Sequence, residues 1–499
     1  MKVPSSYAAN AVCIGIFCNL ANGSQHWLRS CKIEVSVFDF PLLRQAAEPL
    51  CASIPKNNAK TKSMTKTFKI IFLSIIIGFT IQTRAQNVFS SDVDNFWKAY
   101  DKITKTKDSI LQKKLLEDLY FSKGTEGLKA IRKARNYTSQ DYINAINNYP
   151  KFWNSVRKNT LKSKRYQRDL NLGIEKLRKI YPELKPAKIY FTIGALRTNG
   201  TYSDNLVLIG SEIAMTDKKT ITDEIPESIR NARRKFFDSE PIKDLVLLNI
   251  HEYVHTQQKP FVDNILSYVI TEGVAEFIST KAMNLPSASP AINYGKTNSD
   301  KVRKKFEEEM FNMNNLYKWL WGDSPNDFGV RDLGYYIGYQ LCENFYNQAE
   351  DKNEAIKKMI ELDYSNEDEV EDFVKKSNFF SKSLDDLYND YENKRPTVIG
   401  IKQFKNKSNN VDPKINEITV EFSEPLNGYN TGIDFGDLGQ NAFPKNDVKK
   451  RYWSKDKKFW TISVTLEPKK KYQLLITNNF RTDKNIPLKQ YLIEFETRE

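Results

Sequence analysis

The hydrophobic period of this chain changes at Arg395-Pro396, and no other feature constrains the fold as strongly. Before that point apolar residues recur at helical spacing, as in Phe96, Tyr100 and Ile103 or Leu170, Ile174 and Leu177. Such spacing gathers them on one face of a 3.6-residue helix. Beyond it they alternate: Ile418, Val420 and Phe422; Trp460, Ile462, Val464 and Leu466; Tyr491, Ile493 and Phe495. A period of two over short segments predicts an antiparallel sandwich. Two stretches interrupt the helical part, residues 188–194 and 205–213, both rich in β-branched and aromatic residues and separated by a Gly- and Asn-containing turn. They read as two paired strands. The expected class is therefore α+β, with a mainly helical domain carrying a small β-sheet over residues 86–394 and an all-β sandwich over residues 395–499. A length of 499 residues accommodates two or three domains.

Residues 64–69 supply a basic start, residues 70–81 a short apolar run, and Ala85 a small residue before a cut. These are the parts of a secretory signal peptide, and the run falls short of the ~20 residues a bilayer span needs. Residues 64–85 are read as the signal, with cleavage near Ala85, and residues 1–63 as a spurious upstream extension. The mature chain is then secreted or periplasmic, with no membrane span. Removing residues 1–85 takes ten basic and three acidic side chains, leaving 66 against 59. That mild excess, with no basic tract, argues against nucleic acid as a partner. The one basic and aromatic stretch, residues 449–458, reads as a solvated hairpin. Cys13, Cys18, Cys31 and Cys51 all fall in the leader, so Cys342 alone remains and no internal disulfide can form.

Residues 241–258 read as one amphipathic helix, stopped by Pro260, and contain His251-Glu-Tyr-Val-His255. A spacing of four brings both imidazoles onto one face, one turn apart. They can then grip one ion, and zinc accepts neutral imidazole readily. Glu252, the next residue round, can sit beside a bound water as general base. The histidine census sharpens this reading. The chain has three histidines, His26 lies in the leader, and the other two are both in this motif. A third protein ligand must therefore be a carboxylate. On the next helical segment Glu272 and Glu276 stand one turn apart. Glu272 is read as the ligand and Glu276 as the acceptor for the free ring N–H of a zinc histidine, although either carboxylate can fill the ligand's place.

These residues resemble the gluzincin metallopeptidases, in which HExxH on one helix is completed by a glutamate on the next. The match is closest to a bacterial family of predicted zinc-dependent proteases with HExxHxxQ, here His251 through Gln258, and a later GYxIGY, here Gly334 through Tyr339. The resemblance implies a gluzincin-like catalytic domain, one Zn2+, a peptide or protein substrate, and a tyrosine that steadies the oxyanion, with Tyr335 and Tyr339 as candidates. It also implies an edge strand, supplied by residues 188–213, that pairs with an extended substrate. Residues 396–499 resemble bacterial immunoglobulin-like domains, through the strings at residues 418–426 and 466–476. Such a tail implies a cell-surface or protein partner. The expected activity is that of a secreted zinc metallopeptidase. The rival reading is a non-catalytic, peptidase-like surface binding protein.

Overall fold

The computed structural model describes residues 87–322 and 326–499. The upstream extension, the signal peptide, its cleavage point, His26 and the four leader cysteines lie outside the described residues.

The chain divides its apolar burial between two cores, one drawn from Val88 to Leu387 and the other from Val411 to Phe495. This is an α+β protein, helical first and β-stranded last. The helical part carries one four-stranded sheet in the order β1 (Val88–Phe89), β2 (Lys188–Thr192), β4 (Leu206–Gly210), β3 (Gly200–Ser203). The two strands read from the sequence do pair, but in parallel, Ile189 opposite Val207 and Phe191 opposite Ile209. Parallel neighbours need a connection longer than a hairpin turn. Here the segment between them crosses over and returns as β3, antiparallel to β4 at the sheet edge.

Four helices position the site. They are α1 (Ser163–Ile180), α2 (Leu245–His255), α3 (Ile265–Met283) and α4 (Leu333–Gln348). The helix expected over residues 241–258 is shorter than its pattern. Pro241 opens a single 3-10 turn through Asp244, and α2 proper ends at His255. Nor is α2 amphipathic. Leu245, Asn249, Ile250, His251, Tyr253 and His255 are all buried, around its whole circumference. A helix apolar on most sides belongs in the centre of a domain, and α3 is buried in the same way. Asn264 caps α3 by accepting from the Ser267 N–H, and Asn284 closes it in a left-handed conformation with φ +54°.

Close approach sets the geometry between α3 and α4. A Cβ on Gly273 would lie 2.1 Å from the Gly338 carbonyl carbon, and one on Gly338 would lie 1.9 Å from the Val269 oxygen. Only glycine fits either position. The second glycine of GYxIGY is thus a packing device that lets α4 lie against α3.

After residue 395 the chain builds two antiparallel sheets over one core. The first runs β5 (Val398–Ile401), β6 (Glu417–Phe422), β9 (Phe459–Thr465), β8 (Lys445–Trp453). The second runs β11 (Tyr491–Glu496), β10 (Lys471–Ile476), β7 (Ile433–Asp434). The alternating residues face inward as their period requires: Ile418, Val420, Phe422, Trp460, Ile462, Val464, Ile493 and Phe495 are buried. The basic stretch at residues 449–458 spans the end of β8 and the turn into β9.

Candidate metal centre

On α2 the side chains of His251 and His255 point the same way, and α3 brings Glu272 opposite them. His251 Nε2 lies 3.1 Å from His255 Nε2, and each lies 3.3 Å from Glu272 Oε2. The three atoms form a nearly equilateral triangle. An ion ~2.0–2.1 Å from nitrogen and oxygen ligands holds them about 3.3 Å apart at tetrahedral angles. The triangle therefore has the dimensions of one face of a tetrahedral site, and the three residues form the candidate cation-holding group among the described residues.

The outer hydrogen bonds fix which ring nitrogens carry protons. His251 Nδ1 faces Glu276 Oε2 at 3.0 Å, and that carboxylate also accepts from the Ser287 hydroxyl. His255 Nδ1 faces Gln258 Oε1 at 2.7 Å, while the Gln258 amide nitrogen donates to the Thr271 carbonyl at 2.9 Å. Because a carbonyl can only accept, the Gln258 amide cannot be turned round. Both Nδ1 atoms are donors, so both neutral rings turn a bare Nε2 lone pair toward the Glu272 oxygen. Three lone pairs meeting in a buried space repel unless positive charge lies between them.

Burial opposes charging of His251, but hydrogen bonds to Glu272 and Glu276 outweigh it and hold its pKa up at about 10. Burial would likewise raise Glu272, yet the two imidazoles hold it well below the usual carboxylate range. One proton on His251 Nε2 answers Glu272 and leaves His255 Nε2 facing the same oxygen unbridged. A cation satisfies all three at once, so the donor set fits a metal better than it fits a proton.

Other groups surround the triangle. Glu252 is pushed up by burial, against the pull of both imidazoles. Tyr335, on α4, stacks against His251 with centroids 6.1 Å apart and receives the Trp321 indole N–H at 3.3 Å. Its hydroxyl is held well above its usual range by burial and by Glu272. Tyr202, on β3, lies flat on His255 with centroids 4.9 Å apart. Burial, then Glu272 and Glu252, push its pKa up to about 12.

The structure thus brings His251, Glu252, His255, Glu272, Glu276 and Tyr335 together. Tyr339 lies elsewhere. It shares a face of α4 with Tyr335, but one turn further along it meets Phe277 at 5.4 Å and Lys296 at 4.9 Å, past the imidazoles. Two contributors were missed. Gln258 stood in the HExxHxxQ string without a role, and Tyr202 had no local signal, because only the crossover carries it to α2.

Fold and site together define an α+β protein in which a helical core sets two imidazoles and a carboxylate around one buried point beside an open sheet edge. Residues 79–379 match the family model described as gliding motility protein GldB. The chain belongs to that family. No curated protein matches the sequence. Among solved structures the chain overlaps the S-layer protein rSbsC(31-844) at 11% identity and a TM-score of 0.17, and surface layer protein SbsC, domains 1-6, at 11% and 0.16. Each overlap covers 56% of this chain and 38% of the other, so the chain spans well under half of those proteins. Neither carries an argument about fold or function.

Family membership corrects the enzymatic expectation. The chain is not placed among the gluzincins or their bacterial zinc-protease relatives, and the readings as hydrolase and metalloprotease, with Glu252 as general base, are withdrawn. The physical reason lies in what the motif encodes. Two imidazoles four residues apart on a helix define a grip for a cation, and a grip specifies no reaction. Among the described residues, no helix is long and apolar enough to cross a membrane.

Proposed function

We propose that this chain is a non-catalytic, peptidase-like binding component of the gliding machinery at the cell envelope, with a recognition site organised by one zinc ion. The observation that carries the reading is the convergence of His251 Nε2, His255 Nε2 and Glu272 Oε2 within 3.3 Å, in a member of a motility family. His251, His255 and Glu272 hold the ion. Glu276 and Gln258 orient the rings, since a ring N–H bonded to a fixed acceptor locks the other nitrogen toward the metal. Bound there, zinc supplies a Lewis-acidic point with room for one further ligand. Tyr202 stacks on His255 and Tyr335 on His251, so each imidazole has one face covered by a tyrosine ring.

The export signal read at residues 64–85 and the motility family both favour action outside the cytoplasm, as a periplasmic or surface component. The partner is then another envelope protein, met through this site or through the β-rich tail. The test is a paired measurement on the full chain and its His255→Ala variant. Metal analysis of the exported protein gives close to one zinc per chain, lost in the variant, and cells carrying the variant lose surface motility while keeping the folded protein. Full motility in cells carrying the metal-free variant would sink the reading.

A further inference from the structure

A cleft of about 220 Å3 opens beside the loop that leads from β2 into β3, and none of its lining residues belongs to the metal centre. Its floor is apolar. Ala145 and Phe152 come from two successive helices, Ser139–Asn148 and Pro150–Thr160, and Ile213 and Ile225 complete it, all four buried. Ile229, on the helix Glu227–Asp238, lines the same space yet stays 43% exposed, although a branched apolar side chain gains by leaving water. Packed domains leave few voids larger than a water. A concave space of this size over apolar side chains, with a few charged groups converging on it, is the form a small-molecule site takes.

The backbone of the loop gives a second observation. Leu196 lines the cleft with φ +66°, a conformation that a bulky residue rarely adopts. Both of its peptide groups are fixed: the N–H donates to Glu212 Oε1 at 3.1 Å, and the carbonyl accepts from Arg233 Nη2 at 2.9 Å. Strained backbone that its surroundings hold in place clusters where a structure grips a ligand.

The charges say what that ligand carries. Asp141, Arg197 and Arg233 line the cleft, and Arg197 Nη2 pairs with Asp141 Oδ1 at 2.7 Å, so the three together leave one positive charge. Glu212, which also acts on Arg233, is buried and is not among the lining residues. We propose that the cleft binds a small amphiphilic monocarboxylate, its medium-length acyl chain on the apolar floor and its carboxylate at the two guanidinium groups. The planar fork of a guanidinium matches both oxygens of a carboxylate. A phosphate head would set a second negative charge against Asp141. The inference stands apart from the metal centre, because the cleft and the ion share no residue.

Isothermal titration of the full chain tests it, with octanoate, 1-octanol, octyl phosphate and acetyl-leucine-amide as probes. Octanoate is expected to bind on the order of tenfold tighter than each of the others, because a hydrogen bond to a charged group is worth more than a neutral one. Its affinity should survive EDTA. Ile229→Glu, at a partly exposed position, should abolish binding, and Arg197→Gln should bring octanoate down to the level of 1-octanol; circular dichroism checks that both variants stay folded. Octanoate that fails to bind in the millimolar range, or that binds no better than 1-octanol, overturns the proposal. Preference for octyl phosphate overturns it in favour of a phosphate site, and preference for acetyl-leucine-amide in favour of a pocket for a partner protein's side chain. Binding that both variants leave unchanged, or that EDTA removes, places the ligand elsewhere and overturns it as well. None of these results bears on the ion held by His251, His255 and Glu272.

Discussion

The candidate metal centre of the helical region and the core of the β-rich tail bury polar groups in opposite ways. In the tail they answer one another: the Thr419 and Thr461 hydroxyls pair across β6 and β9 at 2.9 Å, and Gln473 donates to Glu494 at 2.6 Å while accepting from the Leu438 N–H at 2.9 Å. In the helical region α2 and α3 set two imidazole nitrogens and a carboxylate oxygen 3.1 to 3.3 Å apart, with their lone pairs turned to one point. Lone pairs left converging at a buried point cost stability that folding alone does not require. If the helical centre binds an ion as proposed and the tail does not, perturbations should separate them.

The largest expected effect is on the tail. Phe480 is fully buried and packs on Trp460 and Phe422, with centroids 5.0 and 5.4 Å away. Phe480→Ala should cost about 3–5 kcal/mol of the tail's unfolding free energy. Denaturant titration followed by tryptophan emission measures it, and zinc content should stay as in the parent chain. A fall in metal binding would break the separation of the two regions.

Next comes the ion itself. Zinc at about a thousandfold excess over its Kd should stabilise the helical region by ~4 kcal/mol and leave the tail unchanged. EDTA should reverse the shift. Calorimetric scans of the full chain, with and without metal, resolve which transition moves. Movement of both together would mean that the two cores unfold as one unit.

A third effect, also confined to the helical region, involves acid. Glu212 is buried, and its carboxylate accepts from the Gly194 and Leu196 N–H groups at 2.9 and 3.1 Å. Burial, opposed by those bonds and by Arg233, pushes its pKa from 4.5 up to about 7. The folded state thus binds this proton more tightly than the unfolded chain does. The corresponding stability is fully present below about pH 4.5 and is lost as pH rises through about 7, an effect of roughly 3 kcal/mol. Chemical denaturation from pH 4 to 8 should show that decline in the helical transition, and Glu212→Gln should flatten it.

These contrasts also explain what the sequence could and could not show. The tail was legible because a period of two fixes which side chain faces inward, and Ile418 through Phe422 obeyed it locally. The grip was legible because His251, His255, Glu272 and Glu276 lie one turn apart on their own helices. What failed depended on contacts between distant segments. β2 and β4 were readable as strands, but their parallel pairing is set by a crossover that no residue between them announces. Tyr335 and Tyr339 were equivalent in spacing, and only the line of approach of α3, fixed by Gly273 and Gly338, separates them. Function failed for a different reason, since a short ligand string is shared by proteins that cut and proteins that only hold.

The smallest effect is the sharpest test of the centre. Gln258 touches no ion; it holds His255 Nδ1 at 2.7 Å and is itself held by the Thr271 carbonyl. Gln258→Ala removes the acceptor that fixes the ring's tautomer, so Nε2 no longer stays bare and aimed. Outer groups of this kind are worth 10–100-fold in metal affinity, or ~1.4–2.7 kcal/mol. Gln258→Glu keeps an acceptor for the ring but gives up the amide's bond to Thr271, and should recover most of the loss. Competition titration with a chromophoric zinc chelator measures both variants. Gln258→Ala with unchanged affinity would mean that His255 meets the ion without help from its far nitrogen, and the orientation argument for Glu276 and His251 would weaken with it.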